Sequence, residues 1–250
     1  MIPTATFLQP LIDVVNSVLQ FFHDNVGLSW GGSIIALTIL TRALLIPLTY
    51  KQLKGMRAMQ ALQPKIKELQ AKYKTDRQRM QQEMMKLYQE HNVNPFASCI
   101  PLLAQLPIFI TLFYTLRNEL PADIGCKAGD CPQSAFLFIP DLTAKATGAE
   151  LVVLLVLYVG TQLISGLVMS VTADSSQRKL MMILPFVFVP FVISFPAGLV
   201  LYWITTNIWT IGQQYVIQRV VPAPAVPTAA QAAAAKPPPP PPKKKKKKRR

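Results

Sequence analysis

Five apolar runs recur along the sequence, and most of them are about 20 residues long, which is the length that a helix needs to cross a bilayer. They are residues 29–50, 95–116, 150–172, 180–195 and 198–217. The fourth run is shorter and contains Pro185 and Pro190, so it crosses only with a kink or local thinning of the bilayer. A mean hydropathy of +0.30 is too apolar for an ordinary soluble domain of this charge. The runs predict an all-α integral membrane protein with five transmembrane helices.

The positive charges are unevenly distributed, and this predicts an orientation. Residues 1–29 contain no Lys or Arg, and residues 118–148 contain Lys127 and Lys145 against four acids. Ten basic residues lie in 51–93, and ten more lie from Arg219 onward. Because cytoplasmic loops carry an excess of Lys and Arg, we expect the N-terminus and the 117–149 loop outside. The 51–93 segment, the 173–179 link and the 219–250 tail are then in the cytosol.

The first 28 residues have the pattern of an amphipathic helix. Their apolar residues recur at a spacing of three to four, and Asp13 interrupts the run. The apolar members are Leu8, Leu11, Val15, Val18 and Phe22. This pattern predicts a helix that lies in the outer interface; a sixth, short span is the alternative, which Asp13 disfavours.

Residues 51–93 predict a cytosolic helical hairpin. Two amphipathic stretches flank Lys74–Asp76, a turn in which Thr75 or Asp76 caps the second helix. Methionines recur on both stretches, at Met56, Met59, Met80 and Met84. Such a surface adapts to varied apolar partners, but a Met stripe is also what the seam between the two helices would look like.

The C-terminal tail and the outer loop allow two further structural predictions. The 219–250 tail is rich in Ala and Pro, ends in eight basic residues and cannot build a core, so we expect it to be disordered. Cys126 and Cys131 lie in the outer loop, where a disulfide is chemically permitted, and two free thiols are the alternative.

Arg42 lies inside the first apolar run, which is otherwise uncharged. An arginine at membrane depth costs roughly 3 kcal/mol on insertion scales, and no other span offers it an acid. Four of the five runs carry polar side chains on one face; these include Thr38, Gln105, Gln162, Ser165, Thr206 and Asn207. Helix-to-helix hydrogen bonding explains any one of them. Together with an unpaired cation they predict a hydrated, polar cavity.

The sequence shows no apparatus for catalysis. It contains no HExxH, no GxSxG and no nucleotide-binding glycine loop. The two histidines lie outside the apolar runs, and no paired CxxC or other metal spacing occurs. We therefore expect neither an enzyme nor a cofactor nor a metal site.

Three long motifs carry a resemblance to a known family. MRAMQALQPKIKELQAKYKTD, EMMKLYQEHNVNPFASCIPLLAQLPIFITLFYTLR and FPAGLVLYWITTNIWTIGQQY resemble the YidC/Oxa/Alb membrane protein insertases across roughly residues 28–219. The resemblance implies a five-helix core around a hydrophilic groove that is open to the cytosol and to lipid. It also implies a mobile cytosolic hairpin, which matches 51–93.

The resemblance assigns roles to residues of this chain. Arg42 matches the single positive charge of the family's groove, and Gln105, Gln162, Trp203 and Asn207 fall where the family lines it. The expected function is insertion of nascent membrane proteins, by a monomer in the bacterial inner membrane. The expected partners are the ribosome, through the basic tail and hairpin, the secretion translocon and anionic lipids. A small anion channel or transporter that uses Arg42 is the alternative.

Overall fold

The computed structural model describes residues 5–91, 100–170 and 175–220, and these residues are predominantly helical with no extended strand. The helices are α1 Ala5–Gln20, α2 Trp30–Leu44, α3 Ile46–Ala61, α4 Gln63–Lys72, α5 Arg77–Glu90, α6 Ile100–Tyr114, α7 Leu120–Ile124, α8 Gly148–Ser170, α9 Ser175–Val192 and α10 Ala197–Val220. Short π-helical segments, Phe21–Asn25 and Thr115–Glu119, follow α1 and α6. The predicted all-α fold is confirmed for these residues. The expectations for residues 1–4, 92–99, 171–174 and 221–250 lie outside them.

The core of the bundle forms around α10, which packs against α2 and α8, while α9 packs against α8. Its centre is apolar and fully buried. The members with almost no exposed surface include Leu19, Ile34, Leu112, Leu116, Leu142, Leu154 and Leu199. These side chains come from α1, α2, α8, α10, α6 with the π-helical segment after it, and the loop before α8, so the apolar runs meet in one common core rather than in separate pairs.

The first predicted span, 29–50, does not form one straight helix. The chain bends by 54° at Leu45, between α2 and α3. Pro47 explains the break, because its ring removes a backbone N–H and clashes with the carbonyl four residues earlier. The α2 helix begins at an N-cap, Ser29, whose side chain accepts a hydrogen bond from the Gly32 amide at 3.3 Å.

The N-terminal helix α1 is amphipathic, as its pattern predicts, and it docks on the bundle. Its buried line is Ile12, Val15 and Leu19, and Val15 and Leu19 join the common core. Leu11, assigned to the apolar face from the sequence, is exposed instead. A partner distant in sequence sets this rotation of the helix. The side-chain amides of Asn16 and Gln20 donate to Asp123 at 2.8 and 2.9 Å.

The hairpin consists of α4 and α5, with α3 leading into it. The capping prediction is confirmed at Asp76, whose side chain accepts a hydrogen bond from the Arg79 amide at 3.0 Å. Its seam is a small apolar cluster of Leu62, Ile66 and Tyr88. Among the residues whose side chains the structure describes, those of the hairpin form this cluster and do not join the common core of the bundle.

A cap loop, residues 125–147, covers one end of the bundle. Cys126 and Cys131 form a disulfide with their Cα atoms 5.4 Å apart, which decides between the alternatives that the sequence left open. The loop is joined to the start of α10, because the Ala197 and Gly198 amides donate to the carbonyls of Ala144 (2.7 Å) and Leu142 (2.9 Å). The ring of Phe136 lies against Gly31 in the first turn of α2.

Apolar surface covers the outside of the bundle. By length and composition, Gly148–Val168 is the one described helix that alone could cross a membrane, and Trp30–Leu44 with Ile46–Gln52 qualifies as a bent pair. Met182–Val192 is apolar but shorter. The exposed side chains of α8 and α9 are mostly Val, Leu, Ile and Phe; they include Val152, Val156, Ile164, Ile183, Phe186, Val187 and Phe191. Exposure of such a surface to water is energetically unfavourable, whereas contact with lipid acyl chains is not.

Candidate functional site: a polar cluster around Arg42

Arg42 lies in the last turn of α2, with its side chain half-buried. Its Nε atom is fully buried and has no hydrogen-bond partner among the described residues. The group that interacts with it electrostatically is Tyr202 of α10, not a carboxylate. The positive charge is therefore placed between helices without an ion-pair partner in the described part of the chain.

Further buried polar atoms on α10 lack partners within the described ranges. The hydroxyl oxygens of Tyr202 and Thr206 and the side-chain nitrogen of Gln213 are buried without a well-formed hydrogen bond, although the Tyr202 and Thr206 hydroxyls are near enough to interact with each other. Buried polar groups in proteins are normally hydrogen-bonded, and a native exception needs an explanation such as water or a ligand. With Arg42, these atoms define a region of unmet hydrogen-bonding capacity on α2 and α10.

The neighbouring helix α8 contributes a second polar face. The Asn207 side-chain amide donates to the hydroxyl of Thr161 at 3.3 Å, which ties α10 to α8. Ser165 is buried one turn further along α8, and Gln162 beside it is half-buried. We call Arg42, Thr161, Ser165, Tyr202, Thr206 and Asn207 the polar cluster.

The predicted groove residues are distributed over the cluster and its surroundings. Thr38 is fully buried, but its hydroxyl donates to the Ile34 carbonyl at 2.7 Å, so it is satisfied within its own helix. Trp203 stacks on Phe109 at 5.1 Å in an aromatic group that also contains Tyr158 and Phe195. Gln105 of α6 is half-buried. Their assignment to a substrate groove stays a prediction.

Two members of the cluster were missing from the predicted site. Tyr202 lies four residues before Thr206 on the same face of α10, yet only the fold brings it near enough to Arg42 for an electrostatic interaction. Thr161 follows Tyr158 by three residues, so the helical spacing that selects Gln162 also selects Thr161. A helical repeat identifies a face, but the rotation of the helix depends on its neighbours.

The predicted hairpin contact surface is described in part. Met84 packs against the seam of Leu62, Ile66 and Tyr88, and Met80 is half-buried. The side chains of Met56 and Met59 lie outside the described part of the structure. Met85, which was not in the predicted set, is the more exposed methionine of α5. Met84 therefore fits the seam alternative.

The polar cluster occupies only one half of the bundle. Along α2, Trp30, Ile34 and Leu37 are buried before the chain reaches Thr38 and Arg42. Along α10, residues 197–200 are buried before Tyr202. Both helices begin at the cap loop, so a mainly apolar layer, which also contains the buried hydroxyls of Ser33 and Thr115, separates that loop from the polar cluster. No group of His, Cys, Asp and Glu side chains within the described ranges is arranged to hold a metal.

A helical bundle with an apolar exterior and a polar cluster at its interior helix contacts defines an α-helical membrane protein. The sequence profile described as "60Kd inner membrane protein" matches residues 21–224. The chain belongs to this family, and the resemblance of its motifs to the YidC/Oxa/Alb proteins is thereby confirmed. The family places it in the bacterial inner membrane.

Individual relatives agree with this assignment. A protein named membrane protein insertase YidC from Streptomyces avermitilis is 38% identical over 234 residues, which cover 82% of this chain and 55% of the relative. One of the same name from Geobacter sulfurreducens is 39% identical, with 80% and 36% covered. The chain thus spans about half or less of the length of these relatives.

A solved structure shares the fold. It is described as an active YidC insertase crystal structure with the first transmembrane domain resolved, and it superimposes with a TM-score of 0.66 at 26% identity. The match covers 86% of this chain and 47% of the other.

Proposed function

We propose that the protein is a membrane protein insertase, which moves hydrophilic segments of nascent membrane proteins into a polar groove and releases their apolar segments into lipid. The observation that carries the proposal is the one-sided polar cluster. The Arg42 Nε and the buried hydroxyls of Tyr202 and Thr206 have unmet hydrogen-bonding capacity, and mainly apolar buried side chains, with Ser33 and Thr115 among them, lie between them and the cap loop. The names of the relatives support the same activity.

The proposed mechanism lowers the free-energy barrier to moving a hydrophilic segment into the membrane. Each unsatisfied polar backbone group in hydrocarbon costs several kcal/mol. In a water-filled groove around the polar cluster, these groups find hydrogen-bonding partners instead of hydrocarbon along about half of the path across the membrane. Arg42 attracts acidic residues of the arriving segment, while the exposed apolar faces of α8 and α9 offer a lipid-side exit.

The proposed topology uses five spans. They are α2 with the start of α3, α6, α8, α9 and α10. The groove opens toward the cytosol, where the hairpin and the C-terminal tail also lie, and the N-terminus and the cap loop lie outside. The distribution of Lys and Arg in the sequence supports this orientation.

A small anion channel is the alternative. A channel needs a polar path across the whole membrane, whereas Leu116 and Leu199 are fully buried at the end of the bundle that the cap loop covers. Reconstituted liposomes separate the two functions. Insertion of a single-span substrate without ion leakage supports the insertase, and leakage without insertion supports the channel.

The test of the site uses Arg42. Two charges about 8 Å apart interact by about 2 kcal/mol at an effective dielectric constant of 20, and solvation of the half-buried guanidinium reduces this. We expect Arg42→Ala to slow insertion of substrates with acidic N-terminal segments by about tenfold, or about 1.4 kcal/mol. Arg42→Lys retains most activity, because the requirement is a positive charge rather than bidentate geometry.

Arg117→Ala is the matched control, since Arg117 is an exposed arginine on the cap-loop side of α6. It keeps full activity. If Arg42→Ala also inserts several acidic substrates at the wild-type rate, Arg42 has no part in substrate transfer.

The ribosome is the proposed source of substrate, with the basic tail as its contact. Eight consecutive basic residues, 243–250, follow a proline-rich spacer, and binding to ribosomal RNA by such a segment weakens steeply with salt. Deletion of residues 236–250 should reduce co-sedimentation with ribosomes at low salt. Undiminished binding would assign the contact to the ten basic residues of 51–93 instead. The translocon and anionic lipids remain further proposed partners of a monomeric insertase.

A further inference from the structure

The tip of the cap loop is a two-residue turn, Leu137–Phe138, that exposes two large apolar side chains. Leu137 is 84% exposed and Phe138 44%. The flanking residues close the turn, because the Phe136 amide donates to the Ile139 carbonyl at 2.8 Å and the Ile139 amide returns a bond to Phe136 at 2.9 Å. Leu137 has φ +53°. Turns of this length favour Gly, Asn or Asp at a positive φ. A leucine is therefore unusual at this position, and it is also unusual that so large an apolar side chain is exposed.

The tip is held firmly on the rest of the loop. Ile139 and Leu142, on its inner side, are almost completely buried. The carboxylate of Asp141 accepts hydrogen bonds from the Cys131 amide at 2.9 Å and from the Thr143 amide at 2.7 Å. Ile139 and Leu142 therefore anchor the turn on the core, and the turn leaves the Leu137 side chain on the outside of the loop.

The tip stands at the level where two spans begin. Phe136, the residue before the turn, lies against Gly31 in the first turn of α2. The same loop receives the first amides of α10, through Leu142 and Ala144. Other groups typical of a membrane interface lie at this end: His23 stacks on Trp30 with their rings 4.0 Å apart, and Phe21 and Val26 beside them are exposed.

We infer that Leu137 and Phe138 insert into the headgroup–acyl boundary of the outer leaflet and anchor the cap loop to lipid. The inference rests on the proposed function only for the placement of α2, α8 and α10 as membrane spans. Lipid is the occupant that fits, because two side chains are far less than the roughly 800 Å² per partner of a stable protein interface. Shallow insertion needs only a small apolar surface, and this one continues the exposed apolar exterior of the bundle.

The test measures depth in the bilayer with single-cysteine spin labels. The full chain carries Cys99→Ser with the Cys126–Cys131 disulfide intact, in phosphatidylethanolamine–phosphatidylglycerol bilayers. Labels are placed on Leu137→Cys, on Gln133→Cys as an exposed polar control in the same loop, and on Val156→Cys on the exposed face of α8. We expect the label at 137 about 5–10 Å below the phosphates, the label at 133 on the water side, and the label at 156 deeper than both.

The possible outcomes separate the anchor from the proposed function. A deep label at 156 with a water-accessible label at 137 overturns the anchor and leaves the spans in place. A label at 137 that is shielded from both lipid and aqueous relaxation agents indicates a protein contact and overturns it as well. If the label at 156 is not in the bilayer, the span assignment and the anchor fail together.

A second variant tests the apolar requirement. With the label moved to Phe138→Cys, the further change Leu137→Asp should shift it to the water side, and Leu137→Met should not. Unchanged hydrogen exchange in α8 shows that both variants are folded. A label that stays at the same depth in both variants overturns the inference.

Discussion

Asp141 is the centre of the hydrogen-bond network that holds the cap loop, and its removal should loosen that loop selectively. One carboxylate oxygen accepts from the Ser134 hydroxyl at 2.9 Å and from the Thr143 amide and hydroxyl at 2.7 Å each. The other accepts from the Cys131 amide at 2.9 Å. Hydrogen bonds to charged groups contribute about 1.5–3 kcal/mol each, but these share one half-exposed carboxylate and are not additive.

We expect Asp141→Ala to lower the free energy of local opening of the cap loop by about 3 kcal/mol, and Asp141→Asn by about 1–2 kcal/mol. The asparagine keeps one acceptor oxygen but loses the charge and the second acceptor. The assay is hydrogen exchange at the Thr143 amide, which should accelerate roughly 150-fold in the alanine variant and about tenfold in the asparagine variant. Asp130→Asn, an exposed carboxylate in the same loop, is the control and should change little.

The pH dependence follows from the same network. Burial raises the pKa of Asp141, but the hydrogen bonds from Thr143, Cys131 and Ser134 outweigh it and leave the pKa below its ordinary value. A lowered folded-state pKa contributes stability above the unfolded pKa, about 3.9, and loses it as the pH falls through the folded value. Protection at Thr143 should therefore persist at neutral pH and fall only below about pH 4, whereas the asparagine variant shows no such step. Equal exchange in the Asp141 and Asp130 variants would refute the reasoning.

Three further predictions concern other parts of the chain. Gly31→Ala should destabilise the detergent-solubilised protein by about 1–3 kcal/mol through overpacking, because a Cβ at residue 31 meets the Phe136 ring. Gly160→Ala is the control: a Cβ at residue 160 has open space around it, so this variant should be neutral or stabilising in a thermal melt. Hydrogen exchange across residues 51–91 should be faster than across 150–170, because the hairpin has its own small core; equal protection would show a rigidly docked hairpin. Leu62→Ala should cost the hairpin about 2–3 kcal/mol and raise proteolysis between α3 and α5 without altering protection in α8.

Local sequence signals explain much of this fold. Apolar runs and helical spacing locate the long helices to within a few residues, and an aspartate after a turn locates the N-cap at Asp76. The bend at Leu45 was missed because hydropathy treats Pro47 as one weakly polar residue among apolar ones, although its effect on the backbone is decisive. The position of Pro47 inside the first apolar run was the sequence signal that could have revealed the bend.

The details of the site depend on contacts that a single sequence does not contain. Asn16 binds Asp123, which lies 107 positions away, and Asn207 binds Thr161, which lies 46 positions away. These pairings fix how each helix is rotated, and therefore which polar residues face one another. Arg42 was identified because its cost in a membrane is independent of context, whereas its neighbour Tyr202 became apparent only from the fold.

The break after α2 places the buried charge next to the helix that leads into the hairpin. Only Ala43, Leu44 and Leu45 separate Arg42 from the first residue of α3. Because α2 and α3 meet at a 54° bend, a change of that angle at Leu45 changes the direction of α3 relative to the last turn of α2. Arg42 lies three residues before Leu45 and therefore within one helical turn of the bend, so a movement transmitted through the bend reaches the buried charge directly.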